Sequence, residues 1–248
     1  MNMLTTTGLA IHAGSRALVT GLDWSVDRGE FWCVLGRNGA GKSSLLHVLA
    51  GLVLPASGMV TVAGEPVHVA DPLSLARKRG LMMQQVVDSF ACTVFDAVAI
   101  GRTPLRTGRT WDNAEDVAKV NQALVHVGML ERAGDDVTRL SGGERQRVAL
   151  AALLAQQVPL MLLDEPTSHQ DVAHQLAVMR LLRELAEDHA VIATCHDINL
   201  AMRFATHALL IGEGFHAFGS VQQVLTPDSL QRAFGCRFSW QGDTLIPA

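Results

Sequence analysis

Apolar positions along the 248 residues fall into three regimes. Residues 3–35 carry short apolar runs broken at Ala13-Gly14-Ser15 and Asp27-Arg28-Gly29, which predicts a β-rich segment of short strands. It closes on Glu30–Leu35, which reads as a buried strand, and Ser44–Ala50 then opens a helix that stops at Gly51. A hairpin is expected from Met59–Val62 and Pro66–Val69, turning at Ala63-Gly64. From about residue 93 the period lengthens: Val94, Ala97, Val98 and Gly101, then Val117, Val120, Ala123, Leu124 and Val127, recur at helical spacing. This helical insert ends near Gly134-Asp135-Asp136. Strand and helix patterns then alternate: strand Leu160–Leu163, helix Val172–Glu187, strand Ala190–Thr194, helix Ile198–Ala205, strand Ala208–Ile211. Such alternation predicts an α/β fold, a mainly parallel sheet with helices on its faces. The tail from Pro227 has one short helical pattern followed by Arg237-Phe238-Ser239-Trp240, and its role is left open.

Composition narrows the class. At 26.6 kDa and 48% apolar residues the chain can bury a large core. A net charge of −4 and a pI near 6.2 give no general footprint for nucleic acid, which is not expected as a partner. No window approaches the ~18 uninterrupted apolar residues of a membrane span, and the longest run, Val148–Ala155, is closed by Gln156-Gln157. Met1–Thr7 has neither a basic region nor an apolar signal core, so export is not expected. Cys33, Cys92, Cys195 and Cys236 are widely spaced and read as reduced, mostly buried thiols.

The chemistry is concentrated in a few segments. Gly36-Arg37-Asn38-Gly39-Ala40-Gly41-Lys42-Ser43, followed by Ser44, is a phosphate-binding loop pattern. A Gly-x4-Gly-Lys-Ser/Thr match arises by chance in roughly one per cent of chains this long, and here it sits between an expected strand and an expected helix. Glycines let the backbone curl so that its N–H groups converge on an anion, and the following helix adds the positive end of its dipole. Lys42 would reach the β- and γ-phosphates of a nucleotide, and Ser43 would offer its hydroxyl to Mg²⁺. The apolar strand Leu160–Leu163 delivers Asp164 and Glu165, two adjacent carboxylates, at its C-terminal end, where α/β sheets place their ligands. Asp164 suits a cation held through water, and Glu165 suits polarising an attacking water. Alone, the pair also reads, less readily, as a solvated Asp-Glu turn after a strand. A second glycine motif, Leu140-Ser141-Gly142-Gly143-Glu144-Arg145-Gln146, precedes the helical run Arg147–Ala155. It reads as another anion-binding helix N-terminus or as an ordinary helix-entry loop with a capping serine.

Taken together, these segments resemble the ATP-binding subunits of ABC transporters over nearly the whole chain. The resemblance implies an ABC ATPase fold: a P-loop NTPase (RecA-like) core, an antiparallel β subdomain and an inserted helical subdomain. In these terms the core is about residues 1–92 and 146–225, the helical subdomain about 93–145, and the tail about 226–248, in one ATP-binding domain. It implies ATP and Mg²⁺ as cofactors, and a signature role for Ser141, Gly142 and Gly143 on the γ-phosphate of ATP held by a second copy. Gln84 resembles the glutamine that senses Mg²⁺ or the attacking water, with Gln85 beside it as the alternative register. His196 resembles the switch histidine on the γ-phosphate; read alone, a histidine after a strand is structural. Asp171, in Ser168-His169-Gln170-Asp171, resembles the end of the loop that crosses the dimer interface. His169 and His174 also raise a metal reading, for which an i,i+5 spacing is poor helix geometry.

The family stacks adenine on a tyrosine, and this chain contains none. Ala13 falls at that place with His12 adjacent, so stacking would pass to His12 or be weak. Thr93–Arg102 and Cys195–Ala201 are similar to importers of ferric siderophores, haem or vitamin B12; zinc or manganese importers and a soluble non-transport ATPase are the alternatives. The resemblance further implies a second copy in an ATP-sandwich dimer, an integral membrane permease and, indirectly, a periplasmic or surface substrate-binding protein. The place of work would be the cytoplasmic face of a bacterial inner membrane, peripherally. Permease docking is expected between Gln84 and the helical insert, at Val86, Val87 and Phe90, residues that read equally as core.

Overall fold

The computed structural model describes residues 2–84, 91–106 and 114–248. Its strands are β1 Asn2–Ala13, β2 Arg16–Asp27, β3 Phe31–Leu35, β4 Ser57–Val62, β5 Glu65–Pro66, β6 Arg79–Met82, β7 Leu160–Leu163, β8 Ala190–Thr194, β9 His207–Gly212, β10 Phe215–Ser220, β11 Phe238–Gln241 and β12 Thr244–Pro247. The α-helices are α1 Lys42–Leu49, α2 Pro72–Ala76, α3 Val94–Ala99, α4 Ala114–His126, α5 Gly142–Gln156, α6 Val172–Leu185, α7 Ile198–Phe204, α8 Val221–Val224 and α9 Pro227–Phe234.

A six-stranded sheet in the order β10-β9-β3-β8-β7-β6 forms the centre, with β9, β3, β8, β7 and β6 parallel and β10 antiparallel at the edge. Its inner strands are buried on both faces, so they read as continuous apolar runs. Phe31, Cys33 and Leu35 of β3 enter the core shared with α3–α7, while Trp32 and Val34 enter a second core. That second core lies between the central sheet and an antiparallel sheet of order β2-β1-β4-β5, and α1 is held in it by Leu45, Leu46, Val48 and Leu49.

Several boundaries differ from the sequence expectation. The N-terminal segment is not a set of short strands but two strands of 12 residues each. The turns expected at Ala13-Gly14-Ser15 and Asp27-Arg28-Gly29 do separate β1, β2 and β3, and within the long pair Gly8 (φ 56°) and Gly21 (φ 65°) take left-handed conformations where the β1–β2 register shifts between Thr6 and Leu9. The hairpin after β4 shrinks to Glu65–Pro66, because the Val69 and Ala70 N–H groups turn back onto the Pro66 carbonyl. Helix α5 begins at Gly142 rather than Arg147, for a reason given below. The tail adds α9 and a β11–β12 hairpin, and the Asn199 side chain clamps that hairpin to α7 by bonding both backbone groups of Leu245 (3.1 and 3.0 Å). Among the described residues no helix is long and apolar enough to cross a membrane.

Candidate active site

Because β3, β6, β7 and β8 run parallel, their C-terminal ends meet along one edge of the sheet, and each passes directly into a segment singled out above. From β3 the chain enters Gly36–Gly41 and then α1. Gly36 (φ 154°) has no alternative, since a Cβ there would run into the Ile211 carbonyl oxygen. Gly41 (φ 103°) is the N-cap of α1, and a Cβ on it would lie 2.9 Å from that of Leu18, so β2 presses directly on the loop. Lys42 is 6% exposed and folds back across the loop, its Nζ donating to the carbonyls of Gly36 (2.9 Å) and Arg37 (3.2 Å). Burial lowers its pKa, and the charges of Glu165 and then Asp164 oppose that shift. An ammonium has three donors, so one remains for an incoming anion.

At the end of β7, Asp164 is 3% exposed and accepts from the Thr194 hydroxyl at 2.7 Å through Oδ1. The same hydroxyl accepts from the Glu165 N–H (2.8 Å). Glu165 has φ 50°, a left-handed conformation unusual for a residue with a side chain. Its carbonyl is fixed by Gln146 Nε2 (2.9 Å) and Ser168 Oγ (3.0 Å), so the chain on both sides of this bend is determined by its bonds. The bend turns the Glu165 carboxylate between two partners: Gln84 Nε2 donates to Oε2 at 2.8 Å, and His196 Nε2 lies 2.5 Å from Oε1. With its amide nitrogen spent on Glu165, Gln84 has its amide oxygen left to ligate or accept.

These groups open on one cavity of about 510 Å³. The loop supplies Asn38, Gly39, Gly41 and Lys42 to it, with Ser43 and Ser44 from the first turn of α1. Gln84, Glu165 and His196 close one side, and Ala13, Arg16 and Leu18 of the β1–β2 hairpin the other. Arg37 and Ala40 lie instead on a neighbouring cavity that they share with Asn38. His12 does not line the nucleotide-sized cavity, because neighbouring residues of a strand face opposite ways. The expected passage of base stacking to His12 thus finds His12 off this wall, which Ala13, Arg16 and Leu18 form instead. Gln85, Val86, Val87 and Phe90 lie outside the described residues.

Ser141, Gly142, Gly143 and Asp171 do not line this cavity. Ser141 caps α5 in a capping box, its Oγ accepting from the Glu144 N–H (3.4 Å) and donating to Glu144 Oε2 (2.8 Å). That box draws the two glycines into the helix. The Ser141 N–H and hydroxyl, followed by the Arg132 charge, hold the Glu144 carboxyl below its ordinary pKa. Asp171 caps α6 and pairs with His174 Nδ1 at 2.9 Å, which engages the histidine of the metal reading in a helix cap. Among the described residues no group of three His, Cys, Asp or Glu is placed to hold a metal ion. Of the oxygen donors expected to suit a hard divalent cation, Ser43 and Gln84 line the cavity, while Asp164 lies beside Glu165 and does not.

Thr194 and Gln146 are the positioning residues that sequence reasoning passed over. Replacing Thr194 by Val keeps the shape but leaves Asp164 Oδ1 and the Glu165 N–H unpaired in a buried place. The loss should be about 2–4 kcal/mol of unfolding free energy, measured by denaturant titration. An unchanged midpoint would show that the hydroxyl is not the clamp.

Comparison with known proteins gives the family and the fold. The family model described as ABC transporter matches residues 19–168. The cobalamin import ATP-binding protein BtuD of Halobacterium salinarum is 40% identical over 237 residues, covering 94% of this chain and 59% of that protein, so the chain spans little more than half of that relative's length. The hemin import ATP-binding protein HmuV of Streptomyces coelicolor is 43% identical over 213 residues, covering 86% of this chain and 75% of that protein. A solved inward-facing metal-chelate type ABC transporter superposes with a TM-score of 0.84 at 28% identity, covering 100% of this chain and 96% of that one. The fold class expected from the sequence is the one found, and the chain belongs to the ABC transporter family.

Proposed function

We propose that this chain is an ATP-binding and ATP-hydrolysing subunit of an importer, coupling hydrolysis to uptake of a metal chelate of the ferric siderophore, haem or vitamin B12 class through a separate membrane permease. The observation that carries the hydrolytic reading is the Glu165 carboxylate held between Gln84 and His196 at the mouth of the phosphate-loop cavity. The import reading draws its support from the relatives named for cobalamin and hemin import.

In this reading Lys42 and the loop N–H groups hold the β- and γ-phosphates of ATP. Glu165 takes a proton from a water as the water oxygen bonds to the γ-phosphorus. The bond to the β–γ bridging oxygen breaks, and ADP leaves with that electron pair. His196, with its proton on Nε2, donates to Glu165 and orients it before turnover. A bound Mg²⁺ would spread the charge that develops on the phosphate oxygens, and Ser43, Gln84 and Asp164 are the residues to hold it. The signature segment Ser141–Gly143 lies outside its own copy's cavity, the placement that a role on the nucleotide of a second copy would need. ATP gripped from both sides favours the closed pair by its differential affinity, the requirement for driving a conformational change. Asp171 at the end of its loop would face the partner copy. The pair would work at the cytoplasmic face of a cell membrane.

Cells carrying either the unaltered chain or Glu165→Gln test this with labelled vitamin B12, haemin and a ferric siderophore. Loss of uptake of one cargo in the variant is the expected result. Unchanged uptake of all three would reject the chelate class and redirect the search to free metal ions or to non-transport ATPases.

A further inference from the structure

The wall opposite the catalytic residues is built by the β1–β2 hairpin, from Ala13, Arg16 and Leu18, and it has no aromatic ring. Arg16 and Leu18 stand two residues apart on β2, so they share the strand face that looks onto the phosphate loop. Leu18 is in contact with Gly41 of that loop, which fixes how near the strand sits. Arg16 pairs with Ala13 across the hairpin turn and is exposed, and its guanidinium has no hydrogen-bond or ion-pair partner among the described residues. Its other flank opens on the second cavity, where Arg37, Arg232 and the carboxylate of Glu213 also stand.

We propose that Arg16 is the residue that covers the nucleobase, its planar guanidinium stacked on the purine with Leu18 packed at the edge, and that this wall does not distinguish adenine from guanine. The inference rests on the reading of the loop as a triphosphate site. A guanidinium is flat, delocalised and weakly hydrated, so it stacks on ring faces where an ammonium does not. It carries donors and no acceptor, so it has nothing with which to read the 6-amino group of adenine. Every purine has a π-face, and a stacking platform tolerates both bases.

Calorimetric titration of the full chain with ATP, GTP and inorganic tripolyphosphate, a probe with no base, separates the possibilities. Arg16→Ala should raise the Kd for ATP and for GTP about tenfold each, the loss of one stacking platform. Tripolyphosphate should be held within about twofold of the unaltered chain, because the phosphate contacts dominate its binding. Arg16→Tyr should restore ATP binding and Arg16→Lys should not. An equal loss of ATP and tripolyphosphate in Arg16→Ala would show that Arg16 acts on the phosphates, and full binding by Arg16→Lys would show that charge alone suffices. Either result, or unchanged ATP binding in Arg16→Ala, would overturn the base-covering role. A preference for ATP over GTP beyond about tenfold would overturn the indifference to the base, since it requires a group that reads the purine edge. Failure of the unaltered chain to bind ATP or tripolyphosphate would defeat the triphosphate site itself, and this inference with it.

Discussion

Glu165→Gln should lower the turnover of ATP by about 10²- to 10⁴-fold, the range for loss of a positioned general base, while leaving ATP affinity nearly intact. The substitution is almost isosteric, and the bonds that set the bend belong to the backbone: the Glu165 N–H to Thr194, and its carbonyl from Gln146 and Ser168. Those contacts survive. What changes is the partner arrangement at the carboxylate. Gln84 Nε2 and His196 Nε2 at present face carboxylate oxygens, and one of them would face an amide NH₂ instead. The amide cannot accept the proton of the attacking water. With ATP bound and not consumed, the closed pair should accumulate, visible as a shift to twice the mass on size exclusion in the presence of ATP. A variant hydrolysing at nearly the original rate would remove Glu165 from the base role, whatever its position in the cavity.

Ser141→Arg should abolish turnover by at least about 10²-fold, the loss that follows removal of preorganised donors from developing charge, with ATP binding by separated copies nearly unchanged. The reason for the separation is geometric. Ser141 lies at the N-terminus of α5, outside the cavity in which Lys42 and Ser43 of the same copy stand. An arginine there also removes the serine cap, worth about 1 kcal/mol, so thermal melting must accompany the assay to separate lost folding from lost contact. Turnover unchanged in a folded Ser141→Arg chain would show that the signature does not complete the site.

How far the sequence discloses this protein depends on whether local pattern or distant packing decides each feature. Strands β7 and β8 have the bounds the pattern predicts, because strands buried on both faces are unbroken apolar runs that end where Asp164 and Cys195 begin. The phosphate loop is equally legible, since its backbone requires glycine at Gly36 and Gly41. Helix α5 starts five residues early, at Gly142, because Ser141 and Glu144 form a reciprocal cap that outweighs the poor helix propensity of two glycines. Thr194 is hidden in a different way. A threonine ending a strand is ordinary, and its partners Asp164 and Glu165 come from a neighbouring strand about thirty residues away in sequence. Arg16 depends on how β2 docks on the loop, a tertiary fact no periodicity carries. A buried polar residue closing an apolar strand beside a candidate catalytic carboxylate is the signal that would have picked out Thr194.

Complementation between two inactive chains tests the composite site most directly. Lys42→Ala disables the phosphate side and Ser141→Arg the signature side, and each pure variant should be inactive. In a mixed pair, one site joins both defects and the other joins an intact loop to an intact signature. If sites act independently and copies pair at random, an equimolar mixture should recover up to about a quarter of the original ATPase rate, as expected for a two-fold pair exchanging identical surfaces. A mixture as inactive as its components would contradict a site shared between two copies.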